Sequence, residues 1–246
     1  MPVFSLDDSL CFPPPQLARG DGLLAVGGDL SPERLLLAYR MGIFPWYAPG
    51  EPILWWSPNP RLVLFPEELH ISTRLARTIR QQRFQIAFDR DFPQIIQLCG
   101  ESRRESGTWL NPSLIAAFCQ LQARGYAHSV GCYLEGELVG GLYGLALGRI
   151  FFGESMFSLV RDSSKVALAA LVSHLKERGF ACIDCQVRSD HLLSLGAREI
   201  SGEQFSQLLR SLIAALTPDG SWDADFHPRK DPAPTKKPAG VIPPTG

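Results

Sequence analysis

A carboxylate and an amide two positions apart, Asp184 and Gln186, stand in the apolar run FACIDCQV. Read as a short buried strand, this run puts both side chains on one face with Cα atoms about 6.6 Å apart, and turns Ile183, Cys185 and Val187 the other way. A buried charge left unpaired costs several kcal/mol, so the pair must find partners. Side by side, the two groups can orient an amine and receive its proton; equally, a strand-end carboxylate can simply cap a neighbouring loop. Glu154 poses the same choice in IFFGESMFS, where Phe151, Phe152, Met156 and Phe157 would otherwise be pure core.

Other chemistry is weakly supported. Cys182 and Cys185 form a CxxC, but residues three apart on a strand point to opposite faces. No second CxxC or His pair completes a tetrahedral site, so no metal or redox centre is expected. His128, His174 and His191 stand alone, and neither a Ser-His-Asp nor a Cys-His signature is present. Gly27-Gly28, Gly140-Gly141 and Gly144 do not make a GxGxxG between strand and helix. They read as turns and bulges, and no nucleotide cofactor is expected. Arg74, Arg77, Arg80 and Arg83 fan over about half the circumference of a helix beginning near Ser72, opposite Leu75 and Ile79. That face belongs to solvent or to a ligand. Trp46, Trp55, Trp56 and Trp109 are core aromatics by default, although beside an arginine face they also suit the stacking of nucleobases.

The elements that must hold these residues fall into three stretches. Residues 1–62 are rich in Pro, Gly and Trp, with a helix predicted from Ser31 to Met41, capped by Ser31, opened by Pro32 and stopped by Gly42. The prolines of GIFPWYAPGEPILWWSPNP exclude regular helix there. Residues 63–217 carry apolar runs at clean periods. A strand RLVLF leads to the arginine helix, then come a helix Pro112 to Arg124, a three-strand antiparallel meander from HSVGCYL to FFGESMF, a helix Ser163 to Arg178, the strand FACIDCQV, a short helical turn with His191, the near-strand AREIS and a last helix from Gly202 to about Leu216. This order is α+β, a mixed sheet flanked by helices, not an alternating Rossmann unit. Residues 218–246 form a tail in which Pro and Lys displace apolar residues, predicted disordered from about 228.

Composition sets outer limits. In 246 residues, 45% are hydrophobic and 20% charged, which excludes collagen-like, coiled-coil and very small disulfide-stapled classes. Twenty-four Lys+Arg against 25 Asp+Glu leave a net charge of −1, so any contact with nucleic acid must use a local patch. No run of 18 apolar residues and no basic leader are present, and six cysteines suit a reduced compartment. A cytoplasmic protein without a membrane span is expected.

Taken together, the segments GLLAVGGDLSPERLLLAYRMGIFPWY, ILWWSPNPR, GTW, AHS, LVGGLYG, FFGESMFS, SSKVAL, IDCQ and HLLSLGA resemble the bacterial leucyl/phenylalanyl-tRNA–protein transferases, over about Gly22 to Leu216. The resemblance implies a GNAT-like (acetyltransferase-like) C-terminal domain behind a small N-terminal one. It also implies an enzyme that moves Leu or Phe from Leu-tRNA or Phe-tRNA to proteins with N-terminal Arg or Lys, in N-end-rule degradation, with no cofactor. By matching motifs, Asp184 and Gln186 fall at the proton relay, Glu154 at the acceptor-peptide site, and Trp46 and Trp109 around the terminal adenine with Tyr39 nearby. Met156, Phe151 and Ile183 fall at the aminoacyl side-chain pocket, and Arg74, Arg77, Arg80 and Arg83 suit tRNA phosphates. Two other readings stay open. A CoA-dependent N-acyltransferase would need a glycine-bearing pyrophosphate loop where SLVRDSSK stands. A non-catalytic RNA-binding module would not need paired carboxylates.

Overall fold

The computed structural model describes residues 3–102, 110–214, Trp222 and 225–226. In it the Pro- and Trp-rich stretch folds as a four-stranded sheet of β1 (Phe4–Leu6), β2 (Leu23–Gly27), β3 (Phe44–Pro45) and β4 (Leu54–Trp56), in the order β1-β2-β4-β3. These strands escape a reading by periodicity because they are only two to five residues long. The predicted helix is α1 (Pro32–Arg40). Its Ser31 cap accepts the Arg34 N–H at 3.3 Å, and Gly42 follows at φ +75°, a conformation that ends the helix and suits glycine.

The second sheet has eight strands: β5 (Arg61–Leu64), β6 (Gln85–Phe88), β7 (Ala127–Leu134), β8 (Glu137–Leu147), β9 (Ile150–Ser158), β10 (Cys182–Gln186), β11 (Arg198–Ile200) and β12 (Asp225–Phe226). Their order is β11-β5-β10-β9-β8-β7-β6-β12, antiparallel throughout except between β9 and β10. The expected meander is β7 to β9. Its first turn, Glu135-Gly136, has both φ angles positive (+53° and +87°), the condition of a type I′ hairpin turn. Helices α2 (Thr73–Arg80), α3 (Phe92–Glu101), α4 (Pro112–Ala123), α5 (Ser163–Glu177), α6 (Asp190–Ser194) and α7 (Gly202–Ile213) complete the mixed α+β architecture that the order of elements predicted. β6 and α3 were not read from the sequence, because a four-residue strand runs into a helix that carries Pro93 in its first turn.

One expectation is corrected here. Arg83 does not belong to the arginine helix: α2 stops at Arg80, and Gln82 takes φ +48°, which turns the chain. Arg74, Arg77 and Arg80 are exposed on α2, with Leu75 buried beneath them. Arg83 is exposed beyond it, its guanidinium 4.8 Å from the Phe84 ring centre.

The eight-stranded sheet is covered on both faces. One face packs against α3, α4, α7 and the small sheet, through residues such as Ile95, Phe118, Leu209, Tyr39 and Trp55; the other packs against α5 and Leu75 of α2. At the centre, β9 and β10 pair only through Cys182/Ile150, Ile183/Phe151 and Asp184/Phe152. Beyond those rungs no further β9–β10 pairing exists among the described residues, and a cavity occupies the gap.

Candidate active site

Two sets of buried polar groups meet at the end of β10. Arg61, the first residue of β5, grips Asp184 with both arms of its guanidinium: Nε to Oδ1 at 2.8 Å and Nη2 to Oδ2 at 2.6 Å. Asp184 is 0% exposed and Arg61 1%. The rings of Phe44 and Phe205 lie 4.9 and 4.7 Å from the guanidinium carbon. A paired, bidentate geometry of this kind is what allows two charges to be buried at all. Asp184 Oδ1 also accepts the backbone N–H of Gln186 at 2.9 Å.

Gln186 departs from simple strand alternation. The register with β5 shifts between Asp184 and Gln186, and Gln186 sits at φ +66°, a bulge that re-aims its side chain. Its Nε2 donates to Glu154 Oε1 at 2.7 Å, and the Tyr39 hydroxyl donates to the same oxygen at 2.7 Å. Burial pushes the Glu154 carboxyl up to about 8, against the opposing pull of these two hydrogen bonds. The Tyr39 hydroxyl is held well above its ordinary range, first by burial and then by Glu154, so it remains a donor.

The cavity, about 370 Å³, is lined on its polar wall by Glu154, Ser155 and Gln186, on its apolar side by Leu142, Phe151, Met156, Leu168 and Ile183, and at its edge by Phe44 and Trp46. Trp46 is 42% exposed. Its ring lies 5.8 Å from that of Trp56, whose indole N–H donates to the Trp46 carbonyl at 2.6 Å.

Of the residues singled out in the sequence, Trp46, Phe151, Glu154, Met156, Ile183 and Gln186 line this cavity, Arg74, Arg77, Arg80 and Arg83 do not, and three further differences stand out. Gln186 lines the same cavity as Ile183, Cys185 and Val187 rather than sharing the face of Asp184, because the bulge interrupts the alternation at Gln186. Asp184 is not among the lining residues; both its oxygens are engaged behind the wall. Tyr39 is 0% exposed and supports Glu154 from the core side. Trp109 lies outside the described residues. Arg61 was missed, although the need of Asp184 for a cationic partner was legible; nothing local connects residues 123 positions apart. Burial raises the Cys185 thiol far above its ordinary range, which disfavours the thiolate. All six cysteines are free thiols.

A family model described as leucyl/phenylalanyl-tRNA protein transferase matches residues 63–210, and that family's N-terminal domain model matches residues 28–59. The chain is 57% identical over 227 residues to the leucyl/phenylalanyl-tRNA–protein transferase of Syntrophobacter fumaroxidans, a match covering 92% of this chain and 97% of that protein. It is 60% identical over 205 residues to the transferase of the same name from Pseudomonas entomophila, covering 82% and 91%. A solved aminoglycoside acetyltransferase from an uncultured soil metagenomic sample, in complex with sisomicin, overlaps 46% of this chain and 85% of its own at 18% identity and a TM-score of 0.38.

Proposed function

Because the chain belongs to the leucyl/phenylalanyl-tRNA–protein transferase family, we propose that its cavity joins the aminoacyl ester of Leu-tRNA or Phe-tRNA to the α-amine of a protein with N-terminal Arg or Lys. In this reading the product enters bacterial N-end-rule degradation, and the enzyme works in the cytoplasm where charged tRNA is found. The observation that carries it is the cavity opened by the parting of β9 and β10, apolar on one side and bounded on the other by the hydrogen-bonded pair Glu154 and Gln186.

The donor's side chain occupies the apolar side among Phe151, Met156 and Ile183. A pocket of this kind discriminates by about 1–3 kcal/mol per methylene. Trp46 stacks the terminal adenine, with Trp109 as its partner, and the phosphates of the tRNA lie toward Arg74, Arg77, Arg80 and Arg83. Glu154 receives the acceptor's cationic side chain; the approaching charge offsets the burial that keeps the carboxyl protonated, and ionises it.

The ester is already activated, so the step calls for no ATP. A terminal amine of pKa about 7.7–8.0 is roughly one-tenth neutral at pH 7, so deprotonation costs only about 1 kcal/mol. Alignment is the larger requirement. With Nε2 committed to Glu154, Oε1 of Gln186 is the amide atom that can accept an N–H of the amine and aim its lone pair at the ester carbonyl. The C–N bond forms, the bond from the carbonyl carbon to the ribose oxygen breaks, and the amine's proton ends on that oxygen. Gln186 and Glu154 are thus the polar residues that touch the acceptor. Asp184 is a positioning residue: clamped by Arg61, it holds the Gln186 backbone in its bulge, and Tyr39 does the same for Glu154.

The test is incubation of the protein with labelled Leu-tRNA or Phe-tRNA and peptides that begin with Arg, Lys or Asp, or with N-acetylated Arg. Label on the free Arg and Lys peptides alone is expected. Equal labelling of the acetylated peptide, or none of any peptide, overturns the reading.

A further inference from the structure

Phe151 lines the cavity, and behind it stands a residue from far along the chain. The Trp222 indole stacks on the Phe151 ring with centroids 5.9 Å apart and planes 24° apart. Trp222 is only 3% exposed. It also lies flat on His128 at 3.9 Å and 13°, tilts against His174 at 4.7 Å, meets the Phe88 and Phe180 rings edge-on at 6.2 and 6.1 Å, and has the Arg178 guanidinium 5.9 Å from its centroid. His128 is itself fixed by Asp89 Oδ2, 2.8 Å from its Nδ1. Phe151 is confined on another side too, because its ring fills the space at Gly144, where an added Cβ would stand 2.7 Å from two of its ring carbons. Four residues on, Phe226 belongs to β12, the edge strand that pairs with β6 and ties this segment to the sheet.

We infer that Trp222 is a specificity-determining positioning residue: it is the wall that fixes Phe151 and so sets how deep a donor side chain can enter the cavity. This rests on the reading that the apolar side of the cavity takes the aminoacyl side chain. The Phe88 and Phe180 rings around Trp222 belong to the core cluster on that face of the sheet, as they would around a tryptophan serving only the core. This one abuts a ring that is itself part of the cavity lining, and it arrives from beyond residue 210, where the family match ends. Interiors are packed too tightly for Phe151 to hold its place once the indole is removed. A retreating ring deepens the cavity and favours the larger donor.

The test compares full-length wild type with Trp222→Ala, Trp222→Leu and Trp222→Phe, measuring kcat/KM for Leu-tRNA and for Phe-tRNA with one acceptor peptide, at a temperature where circular dichroism shows each variant folded. The ratio of Phe to Leu transfer should rise at least about fivefold in Trp222→Ala, less in Trp222→Leu, and return close to wild type in Trp222→Phe, with the change carried by KM. Should Trp222→Ala not fold, the Leu and Phe variants still supply the graded comparison. Loss of rate by the same factor for both donors, or an unchanged ratio in an active series, overturns the inference alone. A wild type inactive with both donors overturns it together with the reading on which it rests.

Discussion

Two hydrogen bonds converge on one oxygen of Glu154, from the Tyr39 hydroxyl and the Gln186 amide, in a carboxyl that burial pushes up to about 8. This pKa lies above the ordinary carboxylate value of 4.5. Between the two, the folded protein therefore holds a proton that the unfolded chain has lost, and stability falls as pH rises toward 8. Glu154→Gln has no such proton to lose, so its Tm relative to wild type should rise from pH 5 to about pH 8 and level off above it; a flat difference would show that Glu154 is ionised throughout. The same substitution bears on turnover. Below about pH 7.7, log(kcat/KM) for an Arg-initiated peptide should climb with a slope approaching about two in wild type, one proton from Glu154 and one from the amine, and about one in Glu154→Gln. Asp184→Asn leaves the buried Arg61 with no counter-charge and should cost about 3–5 kcal/mol of stability, whereas Gln186→Ala should cost about 1–2 and still lower single-turnover transfer by about 10- to 100-fold. Replacing the pair together, Arg61→Met with Asp184→Leu, should restore the melting temperature but not transfer. Normal transfer by folded Asp184→Asn protein would remove Asp184 from the positioning of Gln186.

At the scale of elements, the site depends on two local failures of regularity. β9 and β10 stop pairing after Phe152 and Asp184, which opens the cavity, and the bulge at Gln186 turns an amide toward Glu154 that an unbroken strand would place elsewhere. Helix α2 meets a different requirement. Eight residues long, it buries Leu75 and leaves Arg74, Arg77 and Arg80 exposed, with Arg74 3.9 Å from Asp162 before α5. Exposed arginines contribute little to folding, and in the proposed function they meet the tRNA phosphates. Individual Arg→Ala changes at 74, 77, 80 and 83 should leave Tm within about 1 °C and lower the salt dependence of tRNA binding by up to about one unit each. Filter binding across a salt series measures this, and unchanged slopes at all four positions would assign the face to solvent. Arg83 is the informative member, because it stands off the helix beside Phe84.

For the whole molecule, the two sheets share one apolar cluster in which Trp55 and Tyr39 pack with Phe152 and Phe205. Among the described residues no helix is long and apolar enough to cross a membrane. The C-terminal stretch divides in its consequences. Truncation after Phe226 should leave both Tm and transfer unchanged, since the removed Pro- and Lys-rich residues carry few apolar groups to bury. Truncation after Ala214 also removes Trp222, a nearly fully buried indole, and should cost about 3–5 kcal/mol by the precedent of large-to-small core changes. Equal melting temperatures for the two truncations would show that Trp222 contributes nothing to the fold.

The sequence by itself determined the elements whose signals are local: α1 with its Ser31 cap and Pro32, the meander β7 to β9 with its Glu135-Gly136 turn, α5 closed by Gly179, and the strand that carries Asp184. It also singled out the residues of the cavity wall, because a carboxylate or amide inside an apolar run demands an explanation wherever it stands. Only the tertiary structure decided how those groups are shared. Arg61 takes both oxygens of Asp184, Tyr39 reaches Glu154 across 115 positions, and Trp222 closes the back of Phe151. Hydrogen-bond pairing and close packing are set by distance in space, and neither periodicity nor propensity carries that information along the chain. The bulge at Gln186 lay beyond the sequence for a related reason: a residue other than glycine at positive φ contradicts its own local preference, and is held there by pairing with β5 and by the Asp184 carboxylate on its N–H.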